Sequence, residues 1–202
     1  MADRQKTLKK LEEEASEGQA VSQYELALRY EQGIRCEPDL EKAKELFRQA
    51  AEQDHAAASY HLGMMYLTGK GVKANPEIGC AWLKRAADRG DCDAQYNLGL
   101  AYIKGYGVEQ NYKNAAKELT RASDQNVPEA EFLLGYLYML GRGVPQDFQK
   151  SMYLLGKSRD SGYKDAGALI DAISVFILKY YEKGLSPEVQ KLLQNIKKAK
   201  NN

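Results

Sequence analysis

The chain has 202 residues, 44% of them hydrophobic, and a formal net charge of +1. That is ample apolar material for a folded core, and the near-neutral balance excludes a global pull toward nucleic acid or anionic membrane. No run approaches the ~20 apolar residues of a membrane span, and the opening MADRQKTLKKLEEE lacks the apolar core of a secretory signal, so a cytoplasmic location and no membrane insertion are expected.

Taken in chain order, residues 3–17 read as a lone N-terminal helix. Asp3 lies 36 residues before Asp39, and Gly18 lies 36 before Asp54, so this stretch is in phase with the downstream residues and predicts a cap on them. Four units then align without a gap, at 20–55, 56–91, 92–127 and 128–163. Ala27, Gly63, Gly99 and Gly135 share one register, as do Tyr30, Tyr66, Tyr102 and Tyr138, and Gly33, Gly69, Gly105 and Gly141. A step of this size marks a stacked repeat array. Each unit has two apolar runs of helical period, so the chain is predicted all-α. In the second unit, the first helix (helix A) runs from about Ala57 to Thr68, where Gly69-Lys70-Gly71 breaks it. Asn75 and Pro76 then supply the N-cap and first residue of helix B, which carries Ile78, Trp82, Leu83, Ala86 and Ala87 and stops near Gly90. The cap recurs as Asp39, Asn75, Asn111 and Asp147.

Two helices joined by a short loop must approach closely. Ala27, Gly63, Gly99 and Gly135 on helix A are expected to face Ala43, Gly79, Ala115 and Ser151 on helix B, small against small in every unit. Residues 164–202 form a divergent C-terminal capping repeat. Ala166 and Ile170 keep the phase, but Asp171 and Ile177 replace the two glycines, so its first helix is expected to run to about Glu182. Ser186-Pro187 should start a last helix ending in the basic tail Lys197, Lys198 and Lys200. Atypical end units suit an array whose ends face water. The whole chain, 1–202, is read as one solenoid domain.

The string Ala58-Leu62-Gly63-Tyr66-Gly69-Gly71-Val72-Asn75, followed by Trp82, Ala86-Ala87 and Gly90, resembles the Sel-1-like repeat. Ala94-Leu98-Gly99-Tyr102-Gly105-Gly107-Val108-Asn111 and Ala130-Leu134-Gly135-Tyr138-Gly141-Gly143-Val144-Asp147 repeat its first half. The first unit departs, with Ala27 for the glycine and Arg35-Cys36 for Gly-Val. The resemblance covers about 20–163 and is similar to the tetratricopeptide repeat. It implies a right-handed α-solenoid of antiparallel helix hairpins, with helices A lining a concave face, and a role as an adaptor that holds other proteins together.

A second apolar stripe on helix A marks a candidate partner surface: Tyr24 and Leu28 in the first unit; Tyr60, Met64 and Leu67 in the second; Tyr96, Leu100 and Ile103 in the third; Phe132, Tyr136 and Met139 in the fourth. On a helical wheel it lies on the side opposite the hairpin core. It must meet either the next repeat or a ligand, and an exposed remainder would floor a groove for a peptide. Asn97 and Lys104 flank it and offer bonds to a peptide backbone or carboxylate. The carboxylate clamp of tetratricopeptide proteins is disfavoured, because the matching slots hold Val21, Ala57, Asp93 and Glu129, then Glu25, His61, Asn97 and Leu133, of which only Asn97 fits.

Nothing points to a reaction centre. His55 and His61 are the only histidines, and six residues apart they are expected to point to different sides, so no metal site and no cofactor is expected. The Gly-x-Gly triplets sit between helices and read as turns. Of three cysteines, Cys36 occupies a valine slot and reads as a small buried hydrophobe, while a Cys80–Cys92 bridge is conceivable but not expected in a reducing compartment. The expected function is a non-enzymatic scaffold that binds a protein or peptide. The alternative is an inhibitor or immunity protein that occludes a toxin or enzyme active site. A homo-oligomer stays open, since a solenoid end can pair with a copy of itself.

Overall fold

The computed structural model describes residues 7–181, with side chains as far as Ser174. The described residues form ten α-helices and no strand. They are α1 (Leu8–Ser16), α2 (Ala20–Gln32), α3 (Leu40–Glu52), α4 (Ala56–Thr68), α5 (Pro76–Asp88), α6 (Cys92–Lys104), α7 (Tyr112–Asp124), α8 (Pro128–Leu140), α9 (Phe148–Asp160) and α10 (Lys164–Tyr181). Helices α2 to α9 pair as four hairpins, and each helix packs on its neighbours in sequence, which makes the architecture an all-α solenoid.

The hairpin loops explain the repeated caps. Asp39, Asn75, Asn111 and Asp147 each accept the backbone N–H three residues on, at 3.0, 3.0, 3.0 and 2.8 Å. Their own backbone N–H groups donate to the carbonyls of Tyr30, Tyr66, Tyr102 and Tyr138, at 2.9, 2.9, 2.9 and 3.0 Å. One residue therefore closes the start of helix B and satisfies a carbonyl near the end of helix A, both of which a helix leaves orphaned.

The small residues meet at the crossings as expected. A Cβ added to Gly63 would lie 3.0 Å from the Gly79 carbonyl, and one added to Gly135 would lie 3.2 Å from that of Ser151. At Gly99 it would lie 2.8 Å from Leu119 Cγ. The second glycine of each Gly-x-Gly triplet has a different task. It presses the loop onto the first residues of the preceding helix B: Gly71 onto Leu40, Gly107 onto Pro76, Gly143 onto Tyr112. The buried Cys80 adds its thiol to the same joint, donating to the Tyr106 carbonyl at 3.2 Å. Phe148, in the register of Leu40, Pro76 and Tyr112, is 56% exposed. Its unit is followed by α10, which runs on through the slots where other helices A end.

Polar side chains staple one hairpin to the next. Gln23 and Gln95 are buried, and their amides donate to the Ala15 and Ala87 carbonyls at 3.2 and 3.3 Å. Gln53 and Gln125 donate in turn to them, at 2.7 and 2.9 Å. The same slot in the fourth hairpin holds Glu131, fully buried, with Lys157 Nζ 2.7 Å from its Oε1 as an ion pair rather than an aligned hydrogen bond. Arg85, Arg121 and Lys157 share a register on helix B and reach back to carbonyls at the end of the preceding helix B, Glu52, Ala87 and Ser123. Cations there complement the helix dipole.

Helix α1 starts at Leu8 under a Thr7 cap and packs Leu8, Leu11 and Ala15 on the first hairpin; residues 3–6 of the 3–17 span lie outside the described residues. One expectation needs correction. Cys36 is half-buried rather than buried, its thiol turned to the Arg29 carbonyl at 3.5 Å. Asp3 lies outside the described residues, as do the predicted last helix and the basic tail. All three cysteines are free.

Candidate partner-binding surface

Each helix A carries the predicted stripe, and the structure divides it into three positions. Tyr24, Tyr60, Tyr96 and Phe132 fill the seams between successive helices A and are half-buried. Tyr24 stacks on His55 at 4.5 Å between ring centroids, and its Oη lies 3.4 Å from His61 Nε2. Tyr60 packs on the cluster of Leu83, Ala86, Ala87, Ala94 and Leu98, Tyr96 on that of Leu119 and Leu134, and Phe132 tilts against Tyr163 at 5.2 Å. Burial is the leading reason that the phenols of Tyr24, Tyr60 and Tyr96 sit above their ordinary pKa.

Leu67, Ile103 and Met139 occupy the second position. Leu67 does not lie opposite the hairpin core as expected, because four residues on from Gly63 it is only ~40° away around the helix. Its Cγ closes over Gly79, where an added Cβ would come within 2.7 Å. The backbone carbonyls of these three residues are covered by Tyr106 Oη, Gln110 Nε2 and Gln146 Nε2, at 3.2, 2.7 and 2.9 Å.

Leu28, Met64, Leu100 and Tyr136 form the third position, a continuous apolar row across four helices. The first three are half-buried and Tyr136 is 39% exposed. Lys104 is exposed, and Asn97 is half-buried with its amide donated to the Asp93 carbonyl at 2.8 Å. The row extends beyond the residues that the sequence singles out. On α8, Glu129, Leu133, Tyr136 and Leu140 stand at i, i+4, i+7 and i+11, a single stripe, with Leu140 40% exposed. The spacing is visible in the sequence, but Leu133 reads there only as a clamp slot and Leu140 is not singled out.

His55 and His61 do not point apart. Both rings meet Tyr24, and His61 also stacks on Phe47 at 5.0 Å. His55 Nδ1 accepts the Ala58 N–H at 3.2 Å, so it caps α4 and carries its proton on Nε2. His61 Nδ1 lies 3.7 Å from Glu31, which also pairs with Lys70 at 3.0 Å. Burial holds both imidazoles below their ordinary pKa, and for His61 Glu31 pulls the other way. Among the described residues no group of three or more His, Cys, Asp or Glu is placed to hold a metal ion.

A stack of helix hairpins with a half-exposed apolar row on its first helices is a repeat solenoid. The Sel1 repeat family model matches residues 20–55, 56–91, 92–127 and 128–163, and the chain belongs to that family. A protective antigen of uropathogenic Escherichia coli with an SLR fold superposes at TM-score 0.80 and 32% identity, over 84% of this chain and 36% of that one. A Sel1 repeat protein of Oxalobacter formigenes does so at 0.76 and 35%, over 82% of this chain and 48% of that one. The chain thus spans between a third and a half of their length. Helicobacter pylori cysteine rich protein B shares the fold at 0.52 and 21% identity, over 65% of this chain and 95% of that one. A search of curated proteins gives no match. Sel1 repeat proteins generally mediate protein–protein interaction on a scaffold that is generally non-enzymatic. No helix among the described residues is long and apolar enough to cross a membrane.

Proposed function

We propose that the chain is a non-enzymatic adaptor that binds a protein or peptide segment on its helix-A surface, centred on Leu100, Leu133, Tyr136 and Leu140. The observation that supports this most is the apolar row, which ends on two side chains about two-fifths exposed, Tyr136 and Leu140. Leu28, Met64 and Leu133 rest partly on the core clusters, and Tyr136 and Leu140 carry the exposed remainder of the row. Tyrosine is a good anchor there, being large, rigid and polar at its tip. Cytoplasmic location belongs to the same proposal.

The test is affinity capture with the wild type, Tyr136→Ala and Tyr96→Ala, beside melting curves. Tyr136→Ala should lose the captured partner, with more than about 1 kcal/mol of binding free energy gone, and melt like the wild type. Tyr96→Ala should lower the melting temperature, because its ring packs in a seam. An unchanged set of partners on Tyr136→Ala refutes the surface. Capture of one folded enzyme whose activity is abolished would make the chain an inhibitor instead.

A further inference from the structure

We propose that the joint between the first two hairpins is a proton-operated latch, in which protonation of His55 uncaps α4 and loosens the ring cluster that holds α2 and α3 against it. The latch does not depend on what the helix-A surface binds. His55 closes the start of α4 by accepting the Ala58 N–H on Nδ1 at 3.2 Å. An imidazole accepts there only when neutral, because its cation carries a proton on both nitrogens. The cation would also stand at a helix N-terminus, where positive charge is disfavoured. The same ring stacks on Tyr24 of α2 at 4.5 Å. Tyr24 and Phe47 of α3 in turn meet His61 of α4, at 5.7 and 5.0 Å between ring centroids. The cap and the cluster that spans the joint therefore share one titratable ring.

The later joints supply the controls. The register of His55 holds Asp91, Val127 and Tyr163, and that of His61 holds Asn97, Leu133 and Leu169, so the first joint alone carries histidine. Asp91 caps α6 on the Ala94 N–H at 2.8 Å, and a carboxyl group keeps an acceptor oxygen in either protonation state. Val127 makes no side-chain cap on α8. The charges around the latch lie on several elements. Glu31 of α2, Asp91 and Asp93 favour a cation on His61, while burial and Lys70, after α4, oppose it. Asp54, next to His55 in the chain, is held by Arg85 and Arg89 at 2.9 and 2.5 Å. Burial lowers His55. A depressed folded value means that the neutral, capped joint is favoured above the ordinary pKa of about 6.5. That preference is lost as the pH falls through the folded value.

The experiment is amide hydrogen exchange on the full chain, followed by NMR from about pH 7.5 to 4.5 and corrected for the intrinsic rate at each pH. Imidazole nitrogen shifts, recorded alongside, report the protonation of His55 itself. The Ala58 amide should lose about fivefold of its protection as His55 gains its proton, the weight of one lost cap. The Ala94 amide, under Asp91, should keep its protection over the same range. The Tyr24 ring signals should move with the Ala58 midpoint. His55→Asp and His55→Asn retain an acceptor at every pH and should leave Ala58 as steady as Ala94; the second serves if the first does not fold. An equal loss at Ala58 and Ala94, or a loss that persists in the variants, overturns the proposal. So does full protection at Ala58 once the nitrogen shifts show the cation. A Tyr24 midpoint separate from that of Ala58 overturns the link between cap and cluster.

Discussion

Gly107→Ala isolates the force that stacks one hairpin on the next. Gly107 has φ +71°, and an added Cβ would lie 2.2 Å from the Pro76 carbonyl oxygen and 2.9 Å from Cys80 Sγ. The obstacle is backbone, which cannot swing aside. Left-handed backbone costs a non-glycine residue about 1–2 kcal/mol, and forcing the joint open adds about 1–3 kcal/mol. Arg35 shows that the first term alone is tolerable, since it holds a side chain at the same register with φ +61°. Gly105→Ala is the matched control: φ is +67°, and its Cβ meets nothing nearer than Gln110 Cβ at 3.3 Å. The two variants share the dihedral penalty and differ in the clash. A chain of this length loses about 2–4 °C of melting temperature per kcal/mol. Gly105→Ala should therefore fall about 2–8 °C and Gly107→Ala about 4–20 °C, followed by circular dichroism, with Gly107→Ala the lower of the two. If Gly107→Ala melts no lower than Gly105→Ala, the loop does not lock the hairpins together and the stacking argument is wrong.

The buried ion pair makes a second prediction. Lys157→Met strips the cation from the fully buried Glu131 and should cost about 3–5 kcal/mol in urea unfolding. Glu131→Gln should stay within about 1 kcal/mol of the wild type, because Gln95 already fills the equivalent slot; the reverse order would sink the reading. The histidines make a third. Burial lowers both folded pKa values, so the neutral rings favour folding above the unfolded value of about 6.5, and that contribution is lost as the pH falls through the lowered folded values. The melting temperature should drop from pH 7 to 5, and His61→Phe, which keeps the stack on Phe47, should flatten the slope. The same slope in both proteins would place the acid sensitivity elsewhere.

The fold was legible because a repeat writes each packing rule several times over. The polar cap, the small crossing residue and the loop glycine each recur at one register, and each is a local demand of a helix end or a close contact. The hairpins, their N-caps and the crossing pairs all follow from those demands. Leu67 misled, because apolarity on a helix face does not say which neighbour the face meets.

The sequence by itself determined the periodic scaffold, down to which small residues touch, since those contacts join residues within one hairpin. Only the tertiary structure decided how the apolar stripe is shared out. Tyr96 and Tyr136 look equivalent as letters, yet one ring lies in a seam and the other is exposed. The same holds for Glu131, whose burial depends on Lys157 arriving from the other helix of its hairpin, and for the histidines drawn together on Tyr24. Exposure is a property of what packs alongside, and that is fixed when hairpin stacks on hairpin.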